Sequence, residues 1–183
     1  MAPSAQVTAP ALQELLQDQA LAGEWILDSS RSTVRLKSRS MWGLAPVNGE
    51  FRQVSGRGTV SPAGNVSGAI TVGSASIDTK NTRRDTHLRS ADFFDSDHYP
   101  DITFTVDSVR PSGQGVTVAG TLTVRDRARP LTFDATASVH GNAEVWLDAE
   151  VRVNRADFGL TWNQMGTASM NNTLTIHAVL TKR

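Results

Sequence analysis

Apolar and polar residues alternate along most of the second half of this chain. In the clearest run, Val116, Val118, Leu122 and Val124 share one parity, with threonines at most of the positions between them. The same period of two recurs in four further segments, at 102–106, 131–139, 145–153 and 174–180. Such alternation is typical of a β-strand with one face in a core and the other in water. The pattern therefore predicts five strands.

The first half of the chain adds three strands. Val34, Leu36 and Trp42 share one parity in the first, and two noisier strands follow at about 48–61 and 66–78. Strands that bury one face and are joined by short turns run antiparallel. About eight of them close into a barrel that can hold one small ligand. We therefore predict an all-β fold, an antiparallel eight-stranded barrel; a two-sheet sandwich would show the same alternation and stays open as the alternative.

The connections between these strands differ at the two ends of the barrel. Short turns rich in Gly, Pro, Asn and Ser define what we call the plain end, at 61–65, 111–115 and 141–142. Longer connections define the lid end, at 43–47, 79–100, 125–130 and 155–171. The charged, helix-capable stretch at 76–95 lies between the third and fourth strands, and a connection of that length is usually functional or a structural cover. We expect a helical insertion over the lid end.

The residues before the first strand predict a short helix. Between Ala11 and Ala20, Leu12, Leu15 and Leu16 share one helical face, and the segment enters the barrel at the plain end. It either plugs that end or docks outside the barrel. We divide the chain accordingly into an N-terminal extension, 1–23, and a barrel domain, 24–183.

Composition excludes several classes of partner. Eighteen Lys and Arg balance eighteen Asp and Glu, so there is no basic surplus to neutralise nucleic-acid phosphates. Cysteine is absent, which excludes disulfides, thiolate nucleophiles and cysteine zinc sites. No apolar run reaches the roughly 18 residues of a membrane span, so no stable membrane insertion is expected. The first basic residue is Arg31, which argues against an export signal and favours the cytoplasm.

Catalytic and metal-binding signals are weak. The insertion offers oxygen and imidazole ligands at Asp85, His87, Asp92, Asp95, Asp97, His98 and Asp101. Eight cations share that end: Lys80, Arg83, Arg84, Arg89, Arg125, Arg127, Arg129 and Arg155. Neither a His-Glu-x-x-His nor an EF-hand spacing occurs, so an ion-pair lattice bracing the lid is favoured over a metal site.

Other enzyme signatures are missing from the sequence too. It contains neither a Gly-x-Ser-x-Gly elbow nor a phosphate-binding Gly-rich loop. His140 and His177 stand on the outward parity of their strands, as does Trp146, which marks either a self-association surface or a covered strand. We predict a non-enzyme with no metal and no cofactor, either a monomer or a homodimer.

Six motifs follow one another in order along the chain. They are the segments 25–28 (WILD), 49–51 (GEF), 92–95 (DFFD), 99–104 (YPDITF), 120–124 (GTLTV) and 154–159 (NRADFG). In this order and spacing they resemble the bacterial YceI-like family, from Trp25 to the C-terminus. The resemblance implies a lipocalin-like, extended antiparallel barrel whose apolar lumen binds a polyisoprenoid chain, such as an isoprenoid quinone or a related long-chain lipid. It does not decide localisation, because the family has exported and unexported members.

The chain departs from the family pattern at three positions. Arg31 precedes Ser32 where many relatives have a His-Ser pair, and Ser40 follows Arg39 where a second histidine is common. Asp126 replaces a frequent glycine. No role of those histidines carries over to this chain, and the preference for a head group is the property most affected.

Parity and resemblance together predict the site. The inward positions are mostly Val, Ala, Leu and Ile, small enough to leave room for a ligand. The predicted ligand-binding residues are Val34, Leu36, Trp42, Phe51, Phe94, Phe104, Leu122, Phe133, Ala135, Leu147, Ala149, Phe158, Trp162, Leu174 and Ile176. Candidate head-group contacts are Arg125, Arg127 and Arg155.

The predicted function is non-catalytic binding, storage or transport of a long-chain polyisoprenoid or quinone-like lipid, a hydrophobic small-molecule partner. The alternative is a protein-interaction or structural module in which the same apolar residues make a filled core.

Overall fold

Eight antiparallel strands close into a barrel in the computed structural model, which describes residues 6–40, 44–163, 166 and 168–183. The α-helices of the described chain are α1 (Ala9–Gln17) and α2 (Thr82–Arg89). Its strands are β1 (Gly23–Leu27), β2 (Thr33–Ser40), β3 (Ala45–Phe51), β4 (Val54–Val60), β5 (Val66–Gly73), β6 (Ile77–Asp78), β7 (Asp101–Ser112), β8 (Gly115–Val124), β9 (Arg127–His140), β10 (Glu144–Asn154) and β11 (Asn171–Lys182).

The ring runs β1-β4-β5-β7-β8-β9-β10-β11, and pairing of β1 with β11 closes it. Toward the lid end, β11 pairs with β2, and β3 and β6 extend the wall from there. This closure confirms the predicted antiparallel barrel and excludes the two-sheet sandwich. The short helix before the barrel and the helical insertion between the third and fourth predicted strands are also confirmed.

The structure adds a strand that the alternation did not predict, β1, and interrupts the second and third predicted strands. β1 and β2 are separated by a turn in which Asp28 Oδ1 accepts hydrogen bonds from the backbone N–H groups of Ser30 and Arg31. The breaks after β3 and β5 lie side by side, where the backbone N–H of Arg52 donates to the carbonyl of Ser76. The backbone groups released by one break are thus satisfied by the other. These breaks are why alternation is noisy in the first half of the chain.

The predicted loop at 125–130 is wrong. β8 and β9 are joined by a turn of two residues, Arg125 and Asp126, and β9 begins at Arg127 with its first residues paired to β8. The pairing of β9 with β10 covers 136–140 of β9. The start of β9 is therefore a strand edge, where Pro130 can lie in the sheet without its missing N–H being needed.

Helix α1 closes the plain end. The backbone N–H of Ala9 donates to the carbonyl of Gly113 at 2.9 Å, which ties the helix to the turn between β7 and β8. Leu12 and Leu16 are buried in one cluster with Trp25 and residues of β8 and β9. Of the two positions left open by the sequence, the structure therefore shows the plug.

Helix α2 and the turns after it cover the lid end. Asn81 caps the helix by accepting a hydrogen bond from the backbone N–H of Arg84 at 3.0 Å. Phe94 is buried and packs on Phe51 with ring centroids 5.9 Å apart. Phe94 thus anchors the insertion to the barrel wall.

Candidate ligand cavity

The barrel encloses an apolar cavity of about 930 Å³ that runs from α1 at the plain end to α2 at the lid end. The inward side chains of the strands form its walls. Fourteen of the fifteen residues predicted from the sequence line it: Val34, Leu36, Phe51, Phe94, Phe104, Leu122, Phe133, Ala135, Leu147, Ala149, Phe158, Trp162, Leu174 and Ile176. The remaining one, Trp42, lies outside the described residues. The structure thus brings these positions together around one space.

The sequence interpretation missed the plain-end part of the lining. Leu12, Leu16, Leu21 and Trp25 contribute to the cavity there. The helical spacing of Leu12 and Leu16 was the available signal, and it distinguished a plug from an external helix only once the position of α1 was known. A β-bulge after Val106 was also missed.

That bulge changes which residues of β7 face the lumen. The register of β7 against β8 shifts between Val106 and Ser108, and both Val106 and Val109 line the cavity. Simple alternation from Ile102 would place position 109 on the outside. In the sequence the bulge corresponds to two consecutive polar residues, Asp107 and Ser108, between these two valines.

Aromatic side chains gather where the insertion meets the segment after β10. Trp162 stacks edge-on against His87 with ring centroids 4.2 Å apart, and Phe93 lies 5.7 Å from Trp162. All three residues line the cavity, and Trp162 remains 37% exposed. The cluster therefore forms part of the cavity mouth.

Arg155 is the one of the three candidate head-group arginines that lines the cavity. It is 7% exposed, its Nε donates to the carbonyl of Ser169, and its Nη1 donates to those of Leu160 and Trp162 at 2.7 and 2.8 Å. Burial lowers the pKa of its guanidinium. These bonds hold the segment after β10 in place, a structural role that the sequence interpretation missed.

Arg125 and Arg127 lie outside the cavity lining. Arg125 Nη1 donates to the carbonyl of Phe93 at 3.2 Å, and its Nη2 lies 4.0 Å from Asp95. Its guanidinium also lies over the ring of Tyr99. Arg125 therefore braces the turns after α2, and Arg127 is exposed at the start of β9.

Four further ionisable residues line the lid end: Arg39, Arg83, Arg84 and His87. None of them was a predicted ligand contact. Arg84 donates through Nε and Nη2 to the side chain and carbonyl of Thr79, at 2.8 and 2.9 Å. His87 Nε2 lies 2.9 Å from Asp92.

The departures from the family pattern fall at different places. Arg31 lies away from the cavity: its Nε donates to Asp28 and its two Nη atoms donate to Glu144, at 3.1 and 2.8 Å. The hydrogen bond from the Ser30 hydroxyl, followed by that from Arg31, lowers the pKa of Asp28 to about 2, and the bonds from Arg31 also lower the pKa of Glu144. Ser40, in contrast, lines the lid end of the cavity.

The carboxylates of the insertion have partners of several kinds. The backbone N–H of Lys80 donates to Asp78, which also binds the side chains of Arg52 and Lys80 at 3.0 and 3.1 Å, and these contacts lower the pKa of Asp78 well below the usual range. Asp85 is buried and accepts from the backbone N–H of Thr79. Within the described ranges, no three His, Cys, Asp or Glu side chains are grouped as metal ligands. The lid is thus braced by ion pairs together with arginine bonds to backbone carbonyls.

The outer face of β10 carries a separate aromatic cluster. Trp146 Nε1 donates to Glu144 at 2.6 Å, and its ring lies 4.6 Å from that of His140. His177 Nδ1 lies 2.6 Å from Asp148. Val145 and Leu147, the strand neighbours of Trp146, line the cavity instead.

In the part of the chain that is described, no helix is long and apolar enough to cross a membrane.

In comparisons with known proteins, a family model matches the barrel part of this chain. The model of the YceI-like domain matches residues 25–181. Protein YceI of Escherichia coli O6:H1 and a UPF0312 protein of Serratia proteamaculans are each 34% identical over 113 residues, which is 58% of this chain and 58% of either relative. The match thus spans less than two thirds of these curated relatives.

Solved structures share the fold. BcnA of Burkholderia cenocepacia superposes with a TM-score of 0.75 at 24% identity, covering 84% of this chain and 98% of BcnA. A domain from Saccharophagus degradans, described as polyisoprenoid binding and implicated in plant cell wall breakdown, gives 0.69 at 16% identity over 87% and 98%. A YceI protein of Campylobacter jejuni gives 0.65 at 26% identity over 75% and 85%.

Proposed function

This chain belongs to the YceI-like family, and from that premise we propose that it binds a long-chain polyisoprenoid lipid in the barrel lumen and stores or carries it without chemical change. One observation carries the proposal. The lumen is an apolar cavity of about 930 Å³, closed by α1 at the plain end and lined at its lid end by polar and aromatic side chains. A solid core, which the alternative function requires, would leave no such space.

The size of the cavity supports a long ligand. At a water-like volume of about 30 Å³ per heavy atom, it has room for on the order of 30 such atoms. Each methylene group transferred from water to an apolar lumen contributes about 0.8 kcal/mol. Affinity should therefore increase with chain length until the lumen is full, which favours lipids over small polar metabolites.

The position of small side chains supports the same conclusion. Ala135 and Ala149 line the cavity on β9 and β10, where larger residues would fill it. The polyisoprenoid binding named for the Saccharophagus degradans neighbour belongs to that protein, and it supplies the ligand class proposed here.

Filling the lumen tests the proposal. Ala149→Trp and Ala135→Trp should abolish uptake of a long isoprenoid, measured by native mass spectrometry and by solvent extraction of protein purified from its own host. Glu150→Trp is the matched control, because Glu150 neighbours Ala149 and is exposed on the outer face. Circular dichroism should show the barrel intact in all three variants.

Two results would contradict the proposal. A well-folded Ala149→Trp protein with normal uptake would show that the lumen is not the binding site. Wild-type protein that copurifies with no lipid and does not bind added quinones or prenyl lipids would favour the alternative, a protein-interaction or structural module.

A further inference from the structure

The lid end of the cavity is lined by cations without carboxylates. The protein as a whole carries equal numbers of acidic and basic residues, eighteen of each. The ionisable residues among the described cavity lining are nevertheless Arg39, Arg57, Arg83, Arg84, His87 and Arg155. The undescribed residues 41–43, 164, 165 and 167 have no ionisable side chain, so they cannot restore the balance.

The carboxylates of the insertion are already paired with other residues. Asp78 binds Arg52 and Lys80 on the outside of the wall, and Asp95 binds His98 at 2.8 Å. Asp85 faces Thr79, and Asp92 approaches His87 from outside the lining. Each of these acids has a partner already and lies outside the cavity lining, so the described lining itself contains no carboxylate.

Arg155 is the most buried of these cations. Its Nε and Nη1 bind uncharged carbonyl groups, and its buried Nη2 has no hydrogen-bond partner among the described residues. A buried cation without a counter-charge is costly, and an anion brought close to it offsets part of that cost. An acidic group entering the mouth would gain from Arg155 even without direct contact, because the low dielectric of the site weakens screening.

We propose that the ligand of this lumen carries an anionic head group, a phosphate or a carboxylate, which lies at the lid end among Arg39, Arg83 and Arg84 while its apolar tail fills the barrel. This inference rests on the proposed function and narrows it: an acidic amphiphile is selected over a neutral one such as a quinone or an alcohol. Guanidinium groups suit the role because they bind phosphate and carboxylate oxygens with paired hydrogen bonds.

Matched pairs of lipids test the selection. Delipidated protein would be titrated with geranylgeranyl phosphate and geranylgeraniol, and with palmitate and hexadecanol, so that the members of each pair share the same tail. We expect the acid of at least one pair to bind about tenfold or more tightly than its alcohol, a difference of about 1.4 kcal/mol. The pair with the larger ratio distinguishes phosphate from carboxylate. The ratio should shrink at high salt, because exposed charges are screened.

Variants assign the effect to the lid end. Arg83→Gln combined with Arg39→Gln should reduce the acid-to-alcohol ratio severalfold, because only the acid of each pair has a charge for these guanidinium groups to bind. Arg110→Gln removes an exposed cation of β7 outside the lining and should leave the ratio as it is. Circular dichroism and thermal melting would confirm that each variant is folded.

The outcomes separate this inference from the proposed function. Equal binding of acid and alcohol in both pairs would overturn the anionic head group and leave lipid binding standing. A reduction of the acid-to-alcohol ratio in Arg110→Gln equal to that in the lid-end variant would overturn the placement of the head group. Failure of all four lipids to bind would overturn the proposed function, and this inference with it.

Discussion

The rings of Phe104 and Phe133 lie with their centroids 5.5 Å apart and their planes tilted by 50° on the lumen side of β8. Phe104 is paired with Leu122 and Phe133 with Val118, so the two rings approach each other diagonally across Gly120. Both rings line the cavity. The pair therefore narrows the lumen on this wall, and the missing side chain of Gly120 gives the rings their room.

A methyl group at position 120 should destabilise the barrel. A Cβ there would lie 2.7 Å from the ring of Phe104 and closer still to the backbone carbonyl oxygen of Thr105. Because a strand carbonyl cannot move without breaking sheet pairing, we expect Gly120→Ala to lower the free energy of unfolding by about 1–3 kcal/mol. Urea denaturation followed by circular dichroism measures this.

Gly58→Ala is the control for that substitution. The same loss of glycine entropy in the unfolded chain applies to it, but its Cβ would come no closer than 3.1 Å to a neighbouring atom. It should cost clearly less than Gly120→Ala. Equal costs would mean that the space above Gly120 has no special importance.

The barrel was predictable from sequence because each strand of its wall has one face toward the apolar lumen and the other toward the outside. Along β8, β10 and β11, inward and outward residues alternate without interruption, and their inward residues line the cavity. The breaks after β3 and β5 depend instead on contacts between distant segments, such as the hydrogen bond from the backbone N–H of Arg52 to the carbonyl of Ser76. Pairing of that kind leaves no period in the sequence.

The polar part of the site was less predictable. An arginine at the end of a strand is typical of a surface, yet Arg155 is buried because three carbonyls of an irregular segment converge on it. The sequence assigns Arg83 and Arg84 to an ion-pair lattice bracing the lid, and only the position of α2 puts them on the cavity lining. Charge in a cavity mouth is a property of the assembled fold.

Arg31→His should lower stability and leave ligand binding unchanged. The substitution introduces the residue that many relatives carry, but it removes the paired bonds from Arg31 to Glu144, which lie outside the cavity. Thermal unfolding at neutral pH should show a small loss of stability, since exposed ion pairs contribute little. Lipid affinity that changed with this substitution would contradict the position of Arg31.

The ion pair of His98 and Asp95 should make stability depend on pH. The hydrogen bond from His98 to Asp95 raises the pKa of the imidazole, with the charges of Asp95 and Asp97 adding to it. A raised histidine pKa contributes stability that is complete below about pH 6.5, its usual value when unfolded, and is lost as the pH rises through the higher folded value. Wild type should therefore lose this contribution as the pH rises above about 6.5.

Asp95→Asn should remove most of that dependence. Asparagine tolerates the positive φ of 48° at this position, so the backbone need not change. An NMR titration should show the pKa of His98 fall strongly in Asp95→Asn and slightly in Asp97→Asn. The reverse order would contradict the assigned pairing.

Arg155→Lys should loosen the segment that follows β10. Lysine keeps the charge, but its single ammonium group cannot reach the three carbonyls that the guanidinium now bridges. We expect a loss of about 3 kcal/mol, the upper value for a hydrogen bond to a charged group. Hydrogen exchange should accelerate at 158–162, whereas Arg152→Lys, on the exposed face of β10, should leave it unchanged. Unaltered exchange in Arg155→Lys would show that the segment is held by other contacts.

Leu16→Asp should open the plain end of the barrel. Leu16 is 8% exposed and lines the cavity with Leu12, so a carboxylate there would have to be buried against the lumen or expel α1 from it. We expect a loss of at least about 2 kcal/mol, the low end for deleting a buried leucine side chain. A bound lipid should also dissociate faster, because its tail would gain a second exit.

Gln17→Asp places the same charge one residue further along, on the exposed face of α1, and should change neither the stability nor the dissociation rate. Stopped-flow dissociation into lipid vesicles, with urea denaturation in parallel, separates the two effects: lower stability with an unchanged dissociation rate would mean that α1 supports the barrel without sealing it.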